Sequence, residues 1–161
     1  MRKIMIMLVA AFFLLFQMRM TTAQEAWPQS FSSISGYASS LLLASVVNAS
    51  YEHLFLRQRG FVGITGGMTM AVQHWSGGLD DAGLGPHLAF TWLSGLGANH
   101  FEFKLGGALI YGYSEKYGLE VEIPMPVVSL GYRRQAPGSN SFFRCALSSA
   151  GIGIGFGYVF Q

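Results

Sequence analysis

Two side chains in the segment His74-Trp75-Ser76-Gly77-Gly78 have the chemical types needed to hydrolyse an ester. Residues two apart on a β-strand point to the same side of the sheet. His74 would therefore lie beside Ser76, where its imidazole can take the proton of the serine hydroxyl as that hydroxyl attacks a carbonyl. These two residues are the candidate catalytic pair of the chain.

Charged residues of both signs supply a second candidate site. Each lies in a segment where apolar and polar residues alternate, and each falls on the polar side: Glu52, Glu102, Lys104, Arg133 and Arg144. If these segments enclose one narrow interior, the charges must pair there, because an unpaired buried charge is costly. We predict a buried network of ion pairs; an ion path or a catalytic cluster is the alternative use of the same residues.

Other site chemistry is not indicated. The histidines are dispersed and lack the spacing of metal ligands: His53, His74, His87 and His100. The glycines of 151–157 recur at every second position, which differs from the spacing of a phosphate-binding loop. The formal net charge of +2 is too small and too scattered to indicate a nucleic-acid partner. We expect no metal, no cofactor and no nucleic acid.

The first 23 residues have the pattern of a secretory signal peptide. Two basic residues precede an apolar run over 4–16, which is too short to span about 30 Å of hydrocarbon. Thr21 and Ala23 are small residues of the kind that signal peptidase requires. We predict cleavage before Gln24; a retained membrane anchor is the alternative. The rest of the chain then carries seven basic residues, eight acidic residues and all 21 glycines.

Segments with period-two alternation follow the signal peptide. The clearest is 151–160, where bulky apolar residues at even positions alternate with glycines at 151, 153, 155 and 157. One face of this strand is large and apolar, and the other has almost no side chain, which suits the crowded inside of a narrow barrel. Only 11% of the chain is charged, against about 25% in average soluble domains. An outward apolar face explains this shortage of charge.

Seven strands can be counted from the alternation: 43–56, 61–72, 87–92, 99–105, 127–134, 141–148 and 151–160. A single-chain bacterial barrel has an even number of strands. An eighth strand is therefore needed, either within 32–42 or from a longer segment that bends into two. Turns are predicted at 57–60, 94–97 and 135–140, and loops at 73–85, which includes Asp80 and Asp81, and at 114–126.

The sequence thus predicts an all-β fold, an antiparallel up-and-down transmembrane β-barrel of about eight strands after a signal peptide. The predicted domains are the signal peptide at 1–23, a leader of uncertain structure at 24–40 and the barrel at 41–161.

Four pieces of the sequence occur in an order that resembles a known family: ASYEHLF at 49–55, NHFEFKLGGA at 99–108, SLGYRRQAP at 129–137 and FFR at 142–144. The family is that of small outer-membrane β-barrel proteins common in Bacteroidetes-type bacteria, most of which have no assigned activity. Gly155, Tyr158 and Phe160 also resemble the terminal-strand signal that the outer-membrane assembly machinery reads, although Gln161 follows the last aromatic residue. The resemblance implies export to the cell outer membrane.

The pair His74 and Ser76 resembles the His-x-Ser motif of outer-membrane lipid A deacylases, in which a glutamate is the third member. Gly77 stands where those enzymes usually have asparagine, and Leu88 stands where the glutamate is expected. A base without an orienting third group is an incomplete triad.

The expected function is therefore that of a small outer-membrane barrel with a structural or surface-interaction role and no enzymatic activity. Its expected partners are outer-membrane lipid and, during biogenesis, the assembly machinery, and the expected state is a monomer. One alternative is a lipid A ester hydrolase that uses His74 and Ser76. The other is a secreted or periplasmic soluble β-barrel that binds an apolar ligand, which requires apolar faces that point inward around a cavity.

Overall fold

A computed structural model of the chain describes residues 27–41, 44–73, 81–114 and 119–160. These residues form eight strands: β1 (Ser30–Leu41), β2 (Ala44–Arg57), β3 (Gly60–Gln73), β4 (Asp81–Ser94), β5 (Asn99–Ser114), β6 (Leu119–Arg134), β7 (Ser141–Ser148) and β8 (Gly151–Phe160). Within the described ranges, no helix is long and apolar enough to cross a membrane.

Each strand pairs antiparallel with its neighbour in the sequence, and β1 also pairs with β8. The sheet therefore closes on itself as an up-and-down barrel. The closing ladder joins nine residue pairs, from Ser32 with Phe160 to Ser40 with Ile152. The predicted all-β fold, a closed antiparallel barrel of eight strands, is confirmed.

The predicted start of the barrel at residue 41 is wrong, because β1 begins at Ser30 inside the segment assigned to a leader. Strand β1 is the eighth strand that the sequence analysis could not place, and it overlaps the segment 32–42 that was the first of the two alternatives. Its inward side chains include Ser33 and Ser39, which are buried although they are small and polar. Serines on both faces hide the alternation of apolar and polar residues, so the pattern that marks the other strands is weak in β1.

The barrel has two different ends. The terminal end carries Ser30, Phe160 and the connections at 58–59, 95–98 and 135–140. The loop end carries the connection at 149–150 and the strand ends Leu41, Ala44, Gln73, Asp81, Ser114 and Leu119. The three predicted turns are present at the terminal end, where Gly95 (φ 77°) and Gly138 (φ 72°) adopt the left-handed backbone that favours glycine.

Both predicted long loops are shorter than expected. Strand β4 begins at Asp81 and β6 at Leu119, so residues 81–85 and 119–126, both predicted as loop, are strand. Asp81 therefore belongs to a strand, whereas Asp80 lies outside the described residues. Gly83 and Gly85 lie inside β4, and Pro124 and Pro126 lie inside β6, although glycine and proline favour turns and loops.

The prolines of β6 lie on an open strand edge. Because β6 pairs with β7 only from Ser129 to Arg134, residues 119–128 have a neighbour on the β5 side alone. On the open side, the carbonyl oxygens of Pro126 and Val128 accept hydrogen bonds from the Oγ and the backbone N of Ser149. Alternate residues direct their backbone groups to the same side of a strand. Pro124 and Pro126 therefore remove two N–H donors from an edge that has no partner strand.

The lumen of the barrel is filled in layers. Six buried apolar side chains fill it at the terminal end, and we call them the apolar plug: Phe31, Leu54, Phe61, Leu93, Phe142 and Val159. Trp27 covers this plug, with its ring 5.8 Å from that of Phe31 and its Nε1–H donated to the Leu96 carbonyl at 2.7 Å. A second apolar cluster lies nearer the loop end: Val46, Ala71, Ala108, Ile110 and Ala150. Polar side chains occupy the lumen between the two clusters.

Candidate functional site

The structure brings the five predicted lumen charges together between the two apolar clusters. We call this set the lumen charge cluster: Glu52, Glu102, Lys104, Arg133 and Arg144. The side chains come from β2, β5, β6 and β7. All point inward because each lies on the polar side of its strand, and none is more than 5% exposed. Every carboxylate in the cluster is within ion-pair distance of at least two cations.

Glu52 joins opposite walls of the barrel. One carboxylate oxygen lies 2.9 Å from Lys104 Nζ, and the other accepts a short hydrogen bond from Arg133 Nη1. Strands β2 and β6 are four positions apart in the ring of eight, so the pair of Glu52 and Arg133 spans the lumen. Thr65 Oγ1 also donates to Glu52 at 3.0 Å. Ser33 Oγ donates to the other oxygen at 3.4 Å. The carboxylate is thus held by two cations and two hydroxyl groups, which together offset its loss of water.

Glu102 is shared by all three cations. Its oxygens lie 3.8 Å from Lys104 Nζ, 3.6 Å from Arg133 Nη1 and 3.4 Å from Arg144 Nη1. Arg133 and Arg144 are register partners on β6 and β7, and like charges directly opposite each other are destabilising. The Glu102 carboxylate, which lies close to both guanidinium groups, reduces that repulsion.

Aromatic rings and small residues complete the surroundings of the two arginines. Arg133 Cζ lies 3.6 Å from the centre of the Phe142 ring, and Arg144 Cζ lies 4.7 Å from that of Tyr37. These are cation–π distances. A Cβ atom at Gly155 would lie 2.9 Å from Arg144 Nε and 2.6 Å from the carbonyl oxygen of Gly36. The glycine face of β8 therefore leaves the space that Arg144 occupies.

A cavity of about 50 Å³ adjoins the charge cluster on the side of the loop end. Lys104 and Arg144 line it, and so do Ser39, Ser50, Thr69 and His87. The cavity also reaches Pro126 and Ser149, which are exposed at the open edge of β6. We call it the lumen cavity. Its walls combine two cations with hydroxyl and imidazole groups.

Sequence reasoning missed several residues of this region. His87 is buried, and its ring nitrogens lie 3.1 Å from Ser50 Oγ and 2.9 Å from Thr69 Oγ1. Tyr37 was assigned to the leader, yet its hydroxyl donates to the Ala146 carbonyl at 3.3 Å inside the barrel. Period-two alternation over 87–92 could have found this residue. Leu88 and Phe90 lie on the outer face, so His87 falls on the inner face.

The candidate catalytic pair lies outside the described residues, as do Trp75, Gly77 and Gly78. Leu88, at the position where a deacylase glutamate was expected, is 63% exposed on the outer face of β4. Among the side chains that the structure describes, no three His, Cys, Asp or Glu residues are grouped so that they could hold a metal ion. The arrangement seen in the lumen can hold opposite charges in fixed positions and can present cations to the lumen cavity.

The three residues of the proposed terminal-strand signal lie on different faces of β8. Gly155 is buried and faces the lumen, whereas Tyr158 and Phe160 are exposed on the outer face, with ring centres 6.3 Å apart. They are not brought together as a binding site.

Comparison with known proteins adds no relative: the sequence matches no protein-family model and no curated protein. The geometry of the barrel is therefore the basis for a functional proposal.

Proposed function

We propose that this protein is an outer-membrane β-barrel, monomeric in the lipid, with a structural or surface-interaction role and no enzymatic activity. The observation that carries the proposal is the distribution of side chains across the wall of the barrel. Buried charges fill its lumen, and large apolar side chains cover its outside. A barrel in water needs the opposite polarity on its outer face, whereas a barrel in lipid needs this one.

All eight strands contribute large exposed apolar side chains to the outer face. Ile152, Phe156 and Leu147 are among the most exposed, at 72%, 64% and 60%. Soluble monomeric proteins rarely expose contiguous apolar patches larger than about 300–600 Å². Large apolar side chains exposed on every strand form the kind of surface that a hydrocarbon environment requires.

The outer face carries charged and aromatic side chains near the terminal end. The exposed cations Arg57, Arg59 and Arg134 lie at this end. Aromatic side chains form a band beside them that includes Phe55, Trp92, Tyr132, Phe143, Tyr158 and Phe160. Transmembrane barrels carry such aromatic girdles where the hydrocarbon meets the headgroups. In the proposed orientation, the terminal end faces the periplasm and Tyr158 and Phe160 are presented to the assembly machinery.

The soluble alternative is less well supported by the geometry. It requires apolar faces around an internal ligand cavity, but the lumen cavity is small and is lined by Lys104, Arg144 and His87. The apolar plug leaves no comparable space at the terminal end, because its six side chains are packed against one another.

Nitroxide labels can test residence in the membrane. In a Cys145→Ala background, a label at Ile154→Cys reports the middle of the outer face, and a label at Gly97→Cys reports a turn at the terminal end. In lipid vesicles we expect the label at 154 to collide mainly with oxygen, which concentrates in lipid, and the label at 97 mainly with a water-soluble nickel chelate. Collision rates from power-saturation electron paramagnetic resonance measure this difference.

Ala146→Cys is the matched control for the outer position, because Ala146 is on β7 next to the register partner of Ile154 but faces the lumen. A label there is expected to be shielded from both reagents or to prevent folding. Equal access of the nickel chelate to labels at 154 and 97 would exclude a lipid-facing wall.

The absence of catalysis in the proposal can be tested separately. We expect Ser76→Ala to leave the acylation of lipid A unchanged, because a catalytic role would need an orienting third group that the motif lacks. Mass spectra of lipid A from cells that produce the wild type or the variant measure the outcome. Loss of a deacylated lipid A species in the variant alone would assign hydrolysis to this serine.

A further inference from the structure

The lumen charge cluster contains one more positive charge than negative charge. Lys104, Arg133 and Arg144 face only two carboxylates, and the described side chains add no other acidic group to the lumen. All five groups are at least 95% buried. A net charge in a low-dielectric interior is costly unless a counter-ion neutralises it.

Of the three cations, Arg144 has the fewest ion pairs with described residues. Its one ion pair with a described residue is the 3.4 Å contact with Glu102, which is also shared with Lys104 and Arg133. Its Nε–H, which is buried, has no hydrogen-bond partner among the described residues. The Tyr37 ring, 4.7 Å from the guanidinium carbon, supplies only a weak compensation for a full charge. Arg144 therefore has an unused donor and an incompletely balanced charge.

The lumen cavity lies where a counter-ion would neutralise this excess. Arg144 and Lys104 line it, and its described lining contains no carboxylate. Ser39, a buried residue with a hydroxyl group, also lines the cavity. A volume of about 50 Å³ holds a few water molecules, since each needs about 10–15 Å³ measured in this way. The volume of the cavity, the hydrogen-bond donors in its lining and the positive charge of Lys104 and Arg144 thus all suit a small anion.

The exposed residues Pro126 and Ser149 on the cavity lining provide a route for exchange with the surroundings. The route follows the open edge of β6, where β7 ends and the wall has no paired strand. The cavity is blocked toward the terminal end by the charge cluster and the apolar plug. An ion that enters from the loop end would therefore stop beside Lys104 and Arg144.

We propose that the lumen cavity is a binding site for one small monovalent anion of the halide class, with Arg144 and Lys104 as its charged ligands. One bound anion neutralises the charge cluster and uses the free donor of Arg144. Arg144 and Lys104, the charged ligands, are buried in the lumen, so the proposal does not rest on contact between the outer face and lipid.

Chloride titration of the purified full chain in a nonionic detergent tests the site. Urea unfolding is followed by tryptophan fluorescence while chloride replaces gluconate, an anion too large for the cavity, at constant ionic strength. We expect the unfolding midpoint to rise with chloride and to saturate, because a ligand of the folded state alone stabilises it. In Arg144→Gln the half-saturating chloride concentration should rise by about tenfold or more, the equivalent of one charge-assisted hydrogen bond.

Arg134→Gln is the matched control, because it also removes one arginine charge but at an exposed position. Arg134 lies on β6, next to the register partner of Arg144. This variant should keep the chloride dependence of the wild type. If Arg144→Gln does not fold, anomalous scattering from crystals of the wild type grown in bromide gives the answer, with a peak expected between Lys104 Nζ and Arg144 Nε. Equal unfolding midpoints in chloride and gluconate, or bromide peaks on the outer surface alone, would overturn the proposal.

Discussion

Replacement of Glu52 by glutamine is expected to lower the free energy of unfolding by about 3–5 kcal/mol, the cost of removing one partner from a buried ion pair. Glu52 is the carboxylate nearest to both Lys104 and Arg133. Without its charge, all three cations of the cluster face Glu102 alone. Domains of this size are stable by about 5–15 kcal/mol in total, so the variant is expected to unfold at a much lower urea concentration. Equilibrium unfolding in detergent, followed by tryptophan fluorescence, measures the change.

Two further variants separate ion pairing from a general effect of charge. Arg57→Gln changes an exposed residue at the end of the same strand, and its effect should be within about 0.5 kcal/mol of zero. The double variant Glu52→Gln with Lys104→Gln should lose less stability than the two single variants combined, because the groups are 2.9 Å apart and therefore coupled. Strict additivity would show that the pair contributes nothing as a pair.

Replacement of Gly155 by valine is expected to destabilise the barrel by about 3 kcal/mol, at the upper end of the usual cost of overpacking. A Cβ atom at this position meets Arg144 Nε at 2.9 Å, Tyr37 Cδ2 at 3.1 Å and the Gly36 carbonyl oxygen at 2.6 Å. The carbonyl belongs to the neighbouring strand and cannot move without opening the ladder between β1 and β8. The larger side chain also displaces the arginine from its place in the charge cluster.

Gly36→Val is the matched control for this variant. Gly36 lies on the strand that pairs with β8, one residue from the register partner of Gly155, and a Cβ atom there meets nothing within 4 Å. We expect this substitution to be neutral or to stabilise by about 0.5–1 kcal/mol, since glycine is a poor strand residue. Refolding from urea in vitro separates packing from any effect on cellular assembly. Equal losses in the two variants would show that the inner glycine face has no special packing role.

The quality of the sequence prediction varied from strand to strand for physical reasons. The bounds of β7 and β8 match the predicted segments 141–148 and 151–160, because their two faces differ strongly in size or polarity. Residues 81–85 of β4 and 119–126 of β6 were predicted as loop; the first segment contains two glycines and the second two prolines. In the barrel, Gly85 lies too close to the Leu109 carbonyl for a side chain, and Pro124 lies on the open edge of β6. The reasons for this glycine and this proline, a close backbone approach and an unpaired edge, become visible only when the pairing of the strands is known.

The composition of the candidate site was predictable, whereas its connectivity was not. Alternation placed Glu102, Lys104 and Arg144 on the inner face without any structure. That Glu52 meets Arg133 depends on the curvature that brings β2 opposite β6. The excess charge beside the lumen cavity could not be inferred from the sequence, because a count of residues does not show which side chains share an interior.

The ladder between β1 and β8 has a consequence for the time at which the barrel can fold. Its partners come from nearly opposite ends of the described chain, so β1 has one open edge until the last strand has been synthesised. Closing a loop of this length has an entropic cost that local contacts do not offset in advance, and such long-range pairing slows folding. The native barrel therefore forms only after β8 has been synthesised, and until then the chain must be kept from pairing its open edges with other chains.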